Sequence, residues 1–399
     1  MSHEQRPHAL WAEGIIIVSV ITVAQLLGGS RVFAEPWSVQ ASLGVSGKFD
    51  DNVRLTAENE TRDLTMAITP AVRVMRTGEH TTFSVGYHTA FELYHQQTDL
   101  NNTAHTARVS LTATGLGRGF FEHIKIEMSD AFTFAQRLVD VPAEGEAVGN
   151  EGVITEPNDT WHNGASARLT LPFTDSLSGS ASYSHSVTEF SHPSLIDSTV
   201  QSAGAGLARQ WTERTLVSAT YGIRLQETET RKRVSHALGV GVDTKFTPTL
   251  DGRLGAGAAY FPDGRRVHAV GEASLTKRFQ YAAAAVSYRR QVGSGGGVFQ
   301  DPTVSQSIGV ELTRPFGERA SAILSGGYSD HRSATTEAGD SRSFRFGASA
   351  RYTLTQWLRA SAAFHHLIQQ ATGTSPVASD ARRNTIMLTL IGTWGAPTP

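Results

Sequence analysis

The sequence predicts an all-β fold: a transmembrane antiparallel up-and-down β-barrel of about 18 strands, with 16 as the lower count. Three observations predict it: apolar and polar residues alternate along most of the chain, short and long connections take turns, and an apolar leader precedes the first strand. Successive side chains of a strand leave opposite faces, so alternation in sequence becomes one oily face and one wet face in space.

The segment 342–364 shows the unit from which the chain is built. Phe344, Phe346, Ala348, Ala350, Tyr352 and Leu354 fall on one side of a strand, with Ser343, Arg345, Gly347, Ser349, Arg351 and Thr353 on the other. After a polar turn at 355–356, Leu358, Ala360, Ala362 and Phe364 oppose Arg359, Ser361, Ala363 and His365. Such a hairpin fits a water-soluble sandwich as well as a barrel in lipid. The remaining chain decides between them.

Taken in order, Val39, Ala41, Leu43 and Val45 oppose Gln40, Ser42, Ser46 and Lys48. Leu64, Met66, Ile68, Val72 and Val74 oppose Thr65, Thr69 and Arg73, and Phe83, Val85, Tyr87, Phe91 and Leu93 oppose Ser84, His88 and Glu92. Ile124, Ile126, Met128, Phe132 and Phe134 face away from His123, Lys125, Glu127 and Ser129. A serine ladder at Ser178, Ser180, Ser182, Ser184 and Ser186 runs against Leu177, Ala181, Tyr183 and Val187, and the last strand puts Ile386, Leu388, Leu390 and Trp394 on the oily side. Short connections at 77–79, 115–119, 173–176, 211–214, 246–249, 278–280, 315–318 and 355–357 alternate with longer polar ones at 50–62, 96–102, 136–159, 191–197, 227–231, 262–265, 293–302, 331–340 and 372–381. A sandwich gives no reason for this alternation, whereas an outer-membrane barrel has short turns on one side and long loops on the other. Phe173, Trp211, Phe246, Phe279, Phe316 and Trp357 stand beside short turns, where an interfacial aromatic girdle belongs. In a soluble protein the same residues would cap a core.

Composition agrees. The hydrophobic share is 39% with 38 glycines, which suits a chain needing one oily residue in two. Lys and Arg number 35 against 37 Asp and Glu, so no global field points to nucleic acid. Cysteine is absent, excluding disulfides, thiolate metal sites, cysteine nucleophiles and a lipid anchor on cysteine. The apolar run 15–27 has signal-peptide length and is short for a spanning helix of about 20 residues. Val32, Phe33 and Ala34 before Glu35 suit signal peptidase, which predicts a signal peptide over 1–34, cleavage between Ala34 and Glu35, and a barrel over 35–399.

Asp50-Asp51-Asn52-Val53 after the first strand, Ile68-Thr69-Pro70 in the second, and Val85-Gly86-Tyr87 through Tyr94 in the third resemble the uncharacterised group called putative beta-barrel porin 2. The resemblance covers roughly the first quarter of the chain. It implies an outer-membrane barrel associated with exopolysaccharide or protein-sorting loci, and it implies no catalytic residues.

If the oily face meets lipid, the wet face lines a lumen. Its basic members are Lys48, Arg73, Arg108, Lys125, Arg168, Arg214, Arg224, Arg253, Arg289, Arg345, Arg351 and Arg359, and its acidic members are Glu92, Glu127, Glu272 and Glu311. Excess positive charge in a narrow aqueous channel selects anions. The competing expectation is that these arginines pair with loop carboxylates, and a register slip of one residue would exchange the faces. The loop 136–159 folds inward as a constriction in one reading and lies on the surface in the other.

Catalysis finds little support. His365-His366, Asp330-His331 and Ser191-His192 are neighbours in sequence and therefore point to opposite faces of a strand. No Gly-x-Ser-x-Gly elbow or His-Glu-x-x-His motif occurs. Asp50-Asp51-Asn52 has calcium-ligand chemistry, yet a turn rich in Asp and Asn forms without a metal. The expectation is a non-enzymatic channel without cofactor or metal, in contact with outer-membrane lipid and lipopolysaccharide, passing small or polymeric solutes, among them polysaccharide or anionic ones. The alternative is a non-conducting docking barrel in a polysaccharide-secretion or cell-surface assembly.

Overall fold

The computed structural model describes residues 37–115, 123–137, 158–293, 302–333, 340–372 and 380–395. The expected cleavage site at Ala34 and Glu35 and most of the 136–159 loop lie outside the described residues. Eighteen strands follow in chain order: β1 (Trp37–Asp50), β2 (Asp63–Thr77), β3 (Thr81–Tyr94), β4 (Asn102–Thr114), β5 (Lys125–Arg137), β6 (Asn158–Thr174), β7 (Leu177–Phe190), β8 (Ser198–Thr212), β9 (Thr215–Thr228), β10 (Lys232–Thr247), β11 (Leu250–Phe261), β12 (Arg266–Arg278), β13 (Ala283–Gly293), β14 (Thr303–Phe316), β15 (Ala320–Ser333), β16 (Asp340–Thr353), β17 (Leu358–Thr372) and β18 (Ala381–Gly395). Each pairs antiparallel with the next, and β18 pairs with β1, closing the sheet into a barrel. Closure removes both sheet edges and satisfies the backbone within the wall, as a hydrocarbon surrounding demands. No helix among the described residues is long and apolar enough to cross a membrane.

Register fixes the faces. Val39 pairs with Val74, Val45 with Ile68 and Phe49 with Leu64, while Met66 meets Leu93 and Ile68 meets Phe91. All these side chains point outward, and the outward set is exposed along the whole circumference, from Val39 and Leu64 through Leu207, Leu238 and Leu254 to Leu388. A continuous apolar belt of this kind is stable in lipid and would be an aggregating surface in water. The aromatics expected beside short turns, Phe173, Trp211, Phe246, Phe279, Phe316 and Trp357, are exposed at that end. Near mid-strand Tyr87 Oη bonds His105 Nδ1 at 2.7 Å and Tyr221 Oη bonds His236 Nδ1 at 2.8 Å, so outward tyrosine and histidine rings pair across neighbouring strands. One outward position breaks the pattern. Asp130 pairs in register with outward Val109 and receives the Asn163 carboxamide at 2.8 Å.

Several short turns share a local device. Thr174 Oγ1 accepts the backbone N–H of Ser176 and Leu177, and Thr355 Oγ1 accepts those of Trp357 and Leu358. Thr212 and Thr247 cap Arg214 and Thr249 in the same way. A hydroxyl closing the turn two residues ahead makes a tight reversal without requiring glycine. The β16–β17 connection spans 354–357, one residue wider than the expected 355–357. Between Thr114 and Lys125 the connection is longer than the expected 115–119.

The Asp50-Asp51-Asn52 stretch forms the seam. Arg383 of β18 donates its Nε to Asp50 Oδ2 at 2.7 Å and a second N–H to the same oxygen. Asn384 donates its backbone N–H and its carboxamide to the two oxygens of Asp51, each at 2.6 Å. Asn52 donates to the carbonyls of Thr56 and Arg382. These acidic residues thus join the first strand to the last.

Candidate functional site: the inner wall of the barrel

The inner wall is built by the same register. Lys48 on β1 pairs with Thr65 and lies 5.9 Å from the Tyr94 ring centroid. Arg73 of β2, Gly86 of β3 and Arg108 of β4 occupy one row across the sheet. With strands about 4.8 Å apart, the two arginines flank the glycine at a backbone separation of about 10 Å. Glu92 pairs with Ala67 and accepts the Asn102 carboxamide at 3.4 Å. Glu127 of β5 stands level with Arg168 of β6 but bonds Lys125, its neighbour on the same face of β5, at 2.7 Å.

The opposite arc is different. Arg253 of β11 pairs with Asp243 of β10, and Glu272 of β12 lies 3.8 Å from both Arg253 and Arg289 of β13. Glu311 of β14 pairs in register with Ala285 and receives the Thr313 hydroxyl. Arg345 and Arg351 on β16 pair with Leu367 and Ser361 of β17, and Arg359 of β17 pairs with Thr353. The inner face of 342–364 therefore carries all three arginines. Arg214 is the exception to the expected wall position. It lies in the β8–β9 turn, because the chain reverses at Glu213 and Arg214, and it lines the short-turn mouth together with Lys245 and Asp251.

Whether each cation has a carboxylate partner divides the wall. Arg253 and Arg289 are compensated. Arg73, Arg108, Arg168, Arg345 and Arg359 form no ion pair among the described residues. Asp243 and Asp50, both inward, were not among the acidic residues expected, and neither was the inward cation Arg383. Asp243 was legible in principle, since Val240 and Val242 set the outward parity of β10.

Arg224 of β9 narrows the lumen. Its guanidinium bonds Ser202 Oγ and reaches the Val292 carbonyl of β13 at 2.8 Å. A single side chain spans β9 to β13 only because the sheet folds sharply between them. Glycine permits that fold: a Cβ on Gly257 would sit 2.3 Å from the Leu238 carbonyl oxygen, and one on Gly271 2.9 Å from that of Gly255. The Arg224–Val292 bridge is thus made within the wall itself. Beyond it, the inner faces of β11 to β18 enclose a recess of about 560 Å³ whose lining includes Arg289, Glu311, His331 and Arg345.

Charges also gather on the outer face at the long-loop end, where sequence alternation was expected to give lipid contacts. Asp330 pairs in register with Gln306 and Arg342 and binds Arg332 at 2.7 Å. Outward parity continues there, but the side chains are polar because the strands extend beyond the apolar belt. Among the described residues no group of three or more His, Asp or Glu is placed to hold a metal ion.

No family model matches the chain, and no curated protein matches it. Solved structures do. Pseudomonas aeruginosa OccK2 (OpdF) superposes with a TM-score of 0.52 at 10% identity, covering 90% of this chain and 98% of that one. The same protein in complex with glucuronate gives 0.50 at 10% identity, with the same coverage. Pseudomonas aeruginosa OpdO gives 0.49 at 13% identity over 90% of this chain and 98% of its own. At these identities the likeness establishes the fold alone: this chain is a closed, 18-stranded antiparallel β-barrel, similar in fold to those outer-membrane proteins.

Proposed function

We propose that the protein is an outer-membrane channel that passes small polar solutes and favours anions. One observation carries the reading: Arg73, Arg108, Arg168, Arg345 and Arg359 lie on the inner wall without a carboxylate partner among the described residues. Fixed positive charge in a confined aqueous path raises the local concentration of anions and repels cations, and the low-dielectric wall strengthens the effect. The outer apolar belt with aromatics beside the short turns supports placement in a membrane, and a barrel with short turns at one end and long loops at the other supports the outer membrane in particular. The likeness to OccK2, whose structure is known with glucuronate, is consistent with a small acidic solute. In this reading the inner wall binds and conducts, and nothing in it acts as an enzyme.

Bilayer reconstitution in a potassium chloride gradient tests the proposal. The expected result is single-channel steps with a reversal potential on the chloride side. Cation selectivity overturns the anion preference, and silence from a correctly folded barrel overturns the channel. Silence would favour the second reading, a docking barrel in a polysaccharide-secretion assembly. The resemblance of the first three strands to the porin 2 group and the Arg224 bridge to β13 both speak for that reading.

A further inference from the structure

We propose that His331 and Arg345 form an oxyanion-binding subsite in the inner wall, which takes the carboxylate or phosphate group of a solute. The proposal rests on the inner face being water-accessible, as the channel reading holds, and does not require that the barrel conduct.

Side chains that lack partners lead to it. His331 is only 5% exposed, and neither ring nitrogen has a hydrogen-bond partner. Arg345 makes no ion pair among the described residues, and its buried Nε also lacks a hydrogen bond. A polar group buried without a partner is costly, because it has lost its water and gained nothing in return. The His331 ring and the Arg345 Nε are two such positions on adjacent strands, and both residues line one recess.

Register places them on one inner face of neighbouring strands, two inward rows or about 14 Å apart along the strand direction. His331 on β15 pairs with Ser305 and Ser341, and Arg345 on β16 pairs with Gly327. Between these rows lies the Ser329–Ser343 pair, whose hydroxyls are 2.7 Å apart. His331, Arg345, Ser329 and Ser343 all line the recess of about 560 Å³. Gly309 and Gly327 share the row of Arg345, so neither adds a side chain in front of the guanidinium.

The charges around the recess leave the position to an anion. Glu272 is engaged with Arg253 and Arg289. Glu311 pairs in register with Ser325 and accepts the Thr313 hydroxyl. Asp330 adjoins His331 in sequence but points outward to Arg332 and Arg342. A carboxylate or phosphate accepts from the guanidinium, an imidazole N–H and the serine hydroxyls, the charge-assisted geometry in which arginine excels.

Calorimetric titration of the folded full-length barrel in detergent, with inorganic phosphate and with sodium glucuronate in a buffer free of other oxyanions, tests the subsite. Wild type should bind at least one of the two, and Arg345→Gln and His331→Gln should each weaken binding by about tenfold or more, the loss of one charge-assisted contact. Arg319→Gln, in the β14–β15 turn and outside the recess, should bind as wild type does. Heat-modifiable gel migration reports folding of each variant. Should a variant fail to fold, wild type labelled with ¹⁵N-histidine decides: the side-chain nitrogens of one histidine, absent from the His331→Gln spectrum or matched by perturbation with spin-labelled ligand, must shift on titration. No binding by wild type, or binding undiminished in both variants, overturns the proposal. A barrel that is silent in bilayers yet binds phosphate through Arg345 loses the channel and keeps the subsite. A conducting barrel that binds neither anion keeps the channel and loses the subsite.

Discussion

The seam between β1 and β18 offers the sharpest test of how this barrel stays closed. Asp50 is wholly buried and Arg383 nearly so, and the guanidinium places two N–H groups on one carboxylate oxygen. Asp50 also accepts the backbone N–H of Asn52 at 3.1 Å, which sets the course of the chain leaving β1. Asp50→Ala removes the anion and leaves a buried cation behind. Deleting one partner of a buried pair typically costs about 3–5 kcal/mol, because the survivor has lost its water and gains nothing in return. Replacing both partners by apolar groups is far milder, since the desolvation cost disappears along with the attraction. We therefore expect Asp50→Ala to lower barrel stability by about 3–5 kcal/mol, and Asp50→Ala combined with Arg383→Met to recover more than half of that loss. Equilibrium urea titration in lipid vesicles, followed by tryptophan fluorescence and by the gel mobility of unboiled samples, measures both. A single variant within about 0.5 kcal/mol of wild type, or a double variant no better than the single, refutes the reasoning.

The remaining expectations address the two faces of the wall. Val240→Arg, in the middle of the outward row Leu238, Val240 and Val242, should cost about 2–4 kcal/mol in vesicles, whereas inward Thr220→Arg on the adjoining strand should cost much less; equal losses would contradict the assignment of faces. Gly257→Ala should destabilise by about 1–3 kcal/mol, since its Cβ would overlap the Leu238 carbonyl and the fold between β9 and β13 would have to open, and an unchanged thermal gel shift would argue against that close approach. Gly86→Glu should place a carboxylate between Arg73 and Arg108, where a Cβ meets nothing nearer than 4.0 Å, and shift the reversal potential toward cations; an unmoved potential would show that this row does not face the ion path.

Much of the architecture is legible in the sequence because lipid imposes a period of two on every strand. Val39 through Phe364 announce their faces by type alone, and loop lengths then supply the topology. Contacts between side chains are a different matter. Asp50 and Arg383 stand 333 residues apart, and their types say nothing of each other. Only the closure rule, which brings the end of the first strand beside the start of the last, could have singled out Asp50-Asp51-Asn52 and Arg382-Arg383-Asn384 as partners. Arg214 was misplaced because a polar residue at a strand end reads equally well as wall or as turn. The outward cluster of Asp330, Arg332 and Arg342 was illegible for a related reason. Alternation marks a face, but it does not mark where the belt ends.

Pairing along the inner wall, which sequence could not assign, determines what the charges do. From β10 to β13, Asp243 and Glu272 answer Arg253 and Arg289, and Asp251 answers Arg278, so the charge of these arginines is held in pairs. On β2, β4 and β6, Arg73, Arg108 and Arg168 have no such answer, and Glu127, the acid best placed to neutralise Arg168, is held by Lys125 instead. Interactions between water-exposed charges fade over a Debye length of about 8 Å at physiological salt, so an ion in the lumen responds to the nearest arc more than to the average charge of the wall. In the proposed channel an anion would be guided along β2 to β6, where the arginines are unanswered, more than by the paired arginines Arg253 and Arg289 opposite. The anion preference should weaken as salt rises, and it should fall further on neutralising Arg73, Arg108 and Arg168 together than on neutralising Arg253 and Arg289, although both sets consist of inward arginines. Equal effects of the two sets on the reversal potential would mean that total charge, and not its pairing, sets the selectivity.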